Sequence, residues 1–175
     1  LSAWLRAGQL DIEQRRALSD RRYSMLGEQD AGGFGPPFAA LVLSEVARTD
    51  RVAPWMSVDE RADMVARAAA YLASVRDYRG FDADEGWRHG VAHGADWLLQ
   101  LVLNAQVDRA QVETLLQAVA EQAVPESAHA YVFGEPGRLA RPVLYAAKRG
   151  LLDEAAWMRW CTSGGKCATV MHPRL

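Results

Sequence analysis

His89 and His93 stand four residues apart, Asp96 follows three residues later, and Glu85 precedes His89 by four. Imidazole ligates divalent metals and exchanges protons near neutral pH, and a nearby carboxylate can share the ion or orient the ring. On an α-helix these four side chains lie along one face. Three chemistries fit the pattern. In the first, His89, His93 and Asp96 hold a divalent metal such as zinc that activates a water for hydrolysis. Gly90 follows His89, so the Glu of the HExxH protease motif is absent, and further ligands would have to come from Asp82, Asp84 or His129. In the second, Asp96 accepts from a histidine and pins the preceding loop, Asp77–Asp84, through Arg79. In the third, the stripe lines a groove for a protein, peptide or small ligand, edged by Tyr78, Phe81, Trp87 and Trp97. We read the stretch as the groove of a binding or scaffold domain with no cofactor, built on Arg79, Phe81, Glu85, Trp87, His89, His93 and Asp96. The alternative is a metal-dependent hydrolase that uses His89, His93 and Asp96.

A helix must position these groups. At about 100° per residue, Glu85, His89, His93, Asp96, Gln100 and Asn104 fall in an arc of about 100°. Val91, Ala95, Leu98 and Val102 fall opposite, which predicts the core face. The polar arc contains no Lys or Arg, unlike most solvated helix faces. Gly86, Gly90 and Gly94 run along its edge, and each costs a helix interior about 1 kcal/mol relative to alanine. Such a ridge lets a neighbouring helix, a loop or a ligand approach the backbone closely.

The rest of the chain reads as helices, because period-two alternation rich in β-branched residues is absent. Helices are predicted from Asp11 to about Leu26, from Pro36-Pro37 to about Arg48, and from the capping box Ser57–Glu60 to about Arg76. The histidine helix is predicted from Asp84 to about Asn104. Others run from Asp108 to about Ala123, from Gly137 to Arg149 with Gly150 as the stop, and from Asp153 to about Cys161. Pro142 falls inside the helix predicted over 137–149, which must start later or bend there. A faint repeat recurs at Leu43–Val52, Leu103–Ala110 and Leu144–Ala155: a helix ends, a short turn follows, and Asp50, Asp108 or Asp153 precedes the next helix. Short connections make neighbouring helices antiparallel. The expected fold is one all-α domain over residues 1–175, with antiparallel helix pairs stacked as a short HEAT-like α-solenoid; a helical bundle is the competing fold. Trp4, Trp55, Trp157 and Trp160 are expected in packing between helices, and Glu135 and Arg138 as a loop ion pair.

The stretch RDYRGFDADEGWRHGVAHGADWLL, residues 76–99, resembles the signature of a bacterial family of unknown function, DUF2785. The residues that carry the likeness are Arg79, Gly80, Phe81, Gly86, Trp87, His89, Ala92, His93, Ala95, Asp96 and Leu98. Weaker echoes lie at Phe38–Val46 and Gly134–Ala140. The chain departs from the family pattern at Pro36-Pro37 and near Pro136-Gly137. The resemblance implies an all-helical fold and implies no activity.

Composition bounds the partners. The chain has 20 Lys and Arg against 22 Asp and Glu. That near balance argues against nucleic-acid binding, which needs a basic surplus or stripe. No run approaches the ~18 apolar residues of a membrane helix, so no membrane span is expected. Two cysteines in 175 residues make no disulfide framework, which suits a cytoplasmic protein. Cys161, Cys167 and His172 match no standard zinc spacing, and the two cysteines read as buried or idle thiols.

Overall fold

The computed structural model describes residues 1–28, 30–125 and 129–163. Among them stand α1 (Ser2–Arg6), α2 (Ile12–Met25), α3 (Gly35–Val52), α4 (Val58–Ser74), α5 (Gly90–Val102), α6 (Arg109–Gln122), α7 (Glu135–Arg149) and α8 (Glu154–Ser163). The helix starts follow local chemistry. Asp11, Ser57 and Asp108 each accept from the N–H three residues on, and Gln14, Glu60 and Gln111 reach back to close three capping boxes. Gly150 ends α7 in the left-handed region, at φ 64°. Pro136 sits in the first turn of α7, which starts two residues before the expected Gly137 and carries Pro142 within it.

The histidine helix departs from expectation. It begins at Gly90, six residues after Asp84. The residues between form a small hairpin, β1 (Phe81–Asp82) against β2 (Gly86–Trp87), with Phe81 opposite Trp87 and Asp82 opposite Gly86. The reason is turn chemistry. The Asp82 carboxylate accepts from the N–H groups of Asp84 and Glu85, both at 2.9 Å, and Gly86 adopts φ 86°. That local bonding holds the chain in a turn rather than a helix. Glu85 and Trp87 therefore lie on the hairpin, not on the helix face assigned to Glu85 from spacing.

The helices pack in two interleaved rows. The helices α3, α5 and α7 lie side by side, as do α4, α6 and α8, while α4 against α5 and α6 against α7 join the rows. The helix α5 touches α3, α4, α6 and α7, so it is the central element. Its apolar side is as expected: Val91, Ala95, Leu98 and Val102 are buried, with Leu43, Leu72, Leu115 and Leu116 around them. Gly90 and Gly94 serve close packing. A Cβ on Gly94 would meet Leu72 and Tyr71 of α4 at 3.1 Å, and one on Gly90 would meet Tyr71 and Val75 at 3.4 Å. Trp97 belongs to the core rather than to a groove edge. It is fully buried, stacked on Tyr23 at 6.5 Å and beside Tyr71 at 6.4 Å, and its Nε1–H finds no acceptor. Trp4 is 59% exposed and Trp157 and Trp160 pack on each other and on the core, so only Trp4 departs from its expected role.

Asp50 does not start a helix. It lies in the last turns of α3, 1% exposed, and accepts from the N–H groups of Trp55 and Met56, from Arg61 and from Asn104. Of the three repeated aspartates only Asp108 and Asp153 head a helix. Asn104, placed on the polar arc by spacing, is buried on this carboxylate.

Candidate functional site

The chain changes from hairpin to helix at His89. Its N–H donates to the Arg79 carbonyl at 3.2 Å, extending the hairpin ladder after Arg88 N–H to Gly80 O at 2.9 Å. Its carbonyl accepts from His93 N–H at 2.9 Å, the first turn of α5. Doing both requires φ 58° and ψ 38°, and among the described residues no other non-glycine has positive φ. Histidine enters this region more readily than most side chains, at a cost of order 1–3 kcal/mol that the surroundings must offset.

Ring contacts hold it there. His89 Nε2 lies 3.1 Å from the Phe133 carbonyl and 3.4 Å from Glu135 Oε1, while Glu135 Oε2 accepts from Phe133 N–H. A carbonyl only accepts, so Nε2 carries a proton, and in the neutral ring Nδ1 is the nitrogen with the lone pair. His93 is the converse. Its Nδ1 donates to the Pro37 carbonyl at 3.1 Å, leaving Nε2 as an acceptor. Burial pushes the His93 pKa down to about 4; the Pro37 bond opposes this, and His89 and Arg138 add to it. The ring is therefore neutral at pH 7.

Asp96 pairs with Arg138 of α7, not with a histidine and not with Arg79. Burial raises its pKa above the ordinary value, outweighing Arg138 and Arg141. Arg79 binds Asp77 at 2.5 Å, and the loop is pinned instead by Arg88. Arg88 is 2% exposed, donates to the Gly32 carbonyl and to Glu85, and lies 4.5 Å over the Phe34 ring. The expected loop pair of Glu135 with Arg138 is absent, since Glu135 is buried beside His89.

Together these elements expose a row of rings. Phe34, Phe38, His93, His89, Trp87 and Phe81 follow one another at centroid separations of 4.6–6.4 Å, with Phe133 edge-on to Trp87 at 5.6 Å. Phe38, Phe81, Trp87 and Phe133 are 39–48% exposed. Gly80 is needed beneath them, because a Cβ there would stand 2.2 Å from the Phe133 ring. Among the predicted site residues, Phe81, Trp87, His89 and His93 come together in this row. Asp96 lies at its margin, and Arg79 and Glu85 brace the loop under it. Phe38 and Phe133 escaped the sequence reading, and Glu135 and Arg138 entered it only as a loop ion pair, although two weak motif echoes contain or adjoin all four.

Among the described residues, no group of three or more His, Cys, Asp and Glu side chains is arranged to hold a metal ion. Asp82 caps the hairpin turn, and His129 stacks on Tyr78 at 5.4 Å. Cys161 is a free thiol, and Cys167 and His172 lie outside the described residues. Behind Pro37 and Gly90 opens a cavity of about 560 Å³, walled by Asp30, Tyr71, Val75 and Asp77. Two of its three lining carboxylates are engaged: Asp30 accepts from Gly32, Phe34 and Gly35 N–H, and Asp77 from Arg79, while the third, Glu28, is exposed. None of the described helices is long and apolar enough to cross a membrane.

Neither the curated proteins nor the solved structures contain a significant match to this chain. Its residues 22–172 match a family described as a protein of unknown function, DUF2785, and the chain belongs to that family.

Proposed function

We propose that the protein is a binding or scaffold module that recognises its partner through the face around Trp87, His89, His93 and Asp96. The observation that carries this reading is the contiguity of four large exposed aromatic side chains on one face. Contiguous exposed apolar surface marks recognition sites, and tryptophan dominates the energetics of many of them. The strained cap at His89 supports it too, since such strain clusters at functional positions. We place the module in a bacterial cytoplasm and read its two rows of helices as a short helical repeat.

The test is selection of phage-displayed random peptides on the wild type and on a Trp87→Ser, Phe38→Ser variant. Peptides that bind the wild type at least tenfold more tightly, with melting temperatures equal, would support the face. Equal binding to both proteins would sink it. The metal-dependent hydrolase remains the second reading for one reason: the free nitrogens of His89 and His93 belong to neighbouring rings, 6.0 Å apart by centroid. Elemental analysis before and after chelation addresses it. An equivalent of zinc that is lost in His89→Ala would favour a metal centre over a face that only binds.

A further inference from the structure

We propose that the cavity behind Pro37 and Gly90 is a second binding site, and that it takes a small organic cation, an ammonium group on an apolar body. Its volume of about 560 Å³ falls in the range of small-molecule pockets, roughly 300–1,000 Å³. Pro37, Tyr71, Val75 and Gly90 are buried and form its floor, while Glu28, Asp30, Arg76 and Asp77 are exposed and form its mouth. The floor suits an apolar body and offers one acceptor. The Tyr71 side chain is 7% exposed, and its hydroxyl donates to the Gly90 carbonyl at 3.3 Å and accepts from no group among the described residues. Burial raises its pKa, so it stays a neutral hydroxyl with lone pairs open to a ligand N–H. None of the exposed rings of the aromatic face lines this cavity, so the site stands apart from that face.

The mouth selects the charge. Asp77 is neutralised by Arg79, and Arg88 is committed to Glu85 and to the Gly32 carbonyl. Asp30 is held by backbone N–H groups, which keep its pKa below the ordinary value, and it is in no ion pair among the described residues. Neither is Glu28. Arg76 turns its Nη1 to the Ala73 and Val75 carbonyls. Even with its charge counted in full, the carboxylates Glu28, Asp30 and Asp77 outnumber the guanidinium groups Arg76 and Arg79 by three to two. An anion would find one attraction, the N-terminus of α5, which starts at Gly90 without a side-chain cap. That end is worth about half a positive charge, and α4 ends at Ser74 on the same cavity with about half a negative one. The two offset each other and leave the carboxylates in control. The N-terminus of α3 adds no donor, because Pro36 and Pro37 have no N–H and Asp30 takes those of Phe34 and Gly35.

An NMR titration of the isotope-labelled full protein at pH 7 tests this with three probes that share an indole: tryptamine, the neutral alcohol tryptophol, and indole-3-propionate. Tryptamine should shift the amides of Ser74, Val75 and Gly90 with a dissociation constant of about 1 mM or tighter. The alcohol and the carboxylate should bind about fivefold more weakly or worse. Glu28→Lys should weaken tryptamine by about the same factor. Ser74→Trp, which fills the cavity from an exposed position, should abolish binding, and Trp87→Ser should leave it unchanged, all with melting temperatures equal. No shift at about 10 mM tryptamine would overturn the site. So would binding that is lost in Trp87→Ser and kept in Ser74→Trp, since the probe would then sit on the aromatic face. Equal binding of the three probes would overturn the charge selection, and tighter binding of the carboxylate would give the cavity to the α5 N-terminus instead. Acetyl-Gly-Lys-Gly-amide bound more tightly than tryptamine at the same amides would overturn the free amine and assign the ammonium to the lysine of a partner chain.

Discussion

At His93 burial decides the charge, and the consequence is a pH dependence with a definite sign. The ordinary histidine value is 6.5 and the folded value about 4. Between these limits the unfolded chain binds a proton that the folded chain does not, so stability is complete above pH 6.5 and lost as the pH falls towards 4. The loss amounts to roughly 3 kcal/mol at most, from 1.36 kcal/mol per pKa unit. Asp96 acts in the opposite sense. Its raised pKa makes the folded carboxyl take up its proton first, which offsets part of the loss in the lowest part of that range. Urea unfolding at pH 7 and pH 4.5 should show a clear drop for the wild type and a flatter response for His93→Gln; parallel curves would refute the assignment. The pairing of His89 with His93 was legible from spacing alone. Their partners were not, because Pro37, Phe133 and Glu135 come from segments more than 40 residues away. Nor was the left-handed turn at His89, since a helical wheel assumes the helix it is drawn on.

The element on which this site depends is α5, and the closeness of α4 to it is set by Gly94. Alanine there gains helix propensity but brings a methyl to 3.1 Å from Leu72 and Tyr71, so the two effects should nearly cancel. Valine cannot be accommodated so easily. Gly94→Val should destabilise by about 2 kcal/mol or more through overpacking, measured by thermal or chemical unfolding. A neutral valine would mean that the two helices are not in the contact described. Four of the eight described helix starts, those of α2, α4, α6 and α8, could be read from capping residues, because an N-cap bond is made within four residues. The start of α5 could not. Asp82 and Gly86 favour a turn over the same stretch that histidine spacing assigns to helix, and the turn prevails. The glycine ridge expected from spacing is a site of close approach at positions 90 and 94, whereas Gly86 is a turn glycine.

In the molecule as a whole, two rows of helices are tied by one buried carboxylate. Asp50 joins the end of α3, the link to α4, Arg61 within α4 and the turn after α5. Its burial alone would raise its pKa, but Arg61, the Met56 and Trp55 N–H groups and Asn104 prevail and hold it below the ordinary value. Asp50→Ala leaves the Arg61 guanidinium buried without its anion and should cost about 3–5 kcal/mol. Adding Arg61→Met should recover part of that loss, and a double variant no more stable than the single would show that the pair is not the source. The all-helical class and the packed pairs were legible in the periodicity and the caps. This knot was not, because Asp50 resembles a helix-starting aspartate in sequence, and only the fold brings Asn104 to it. One further consequence belongs to Trp97. Of the six tryptophans it alone is fully buried, and it packs between Tyr23 of α2 and Tyr71 of α4 with an indole N–H that bonds to nothing. Its fluorescence should therefore form the blue edge of the protein's emission, while half-exposed Trp87 contributes at longer wavelengths. The two colours separate within one spectrum: the short wavelengths follow the integrity of the core, and the long ones, to which exposed Trp4 also contributes, follow the aromatic face in the part that Trp87→Phe removes.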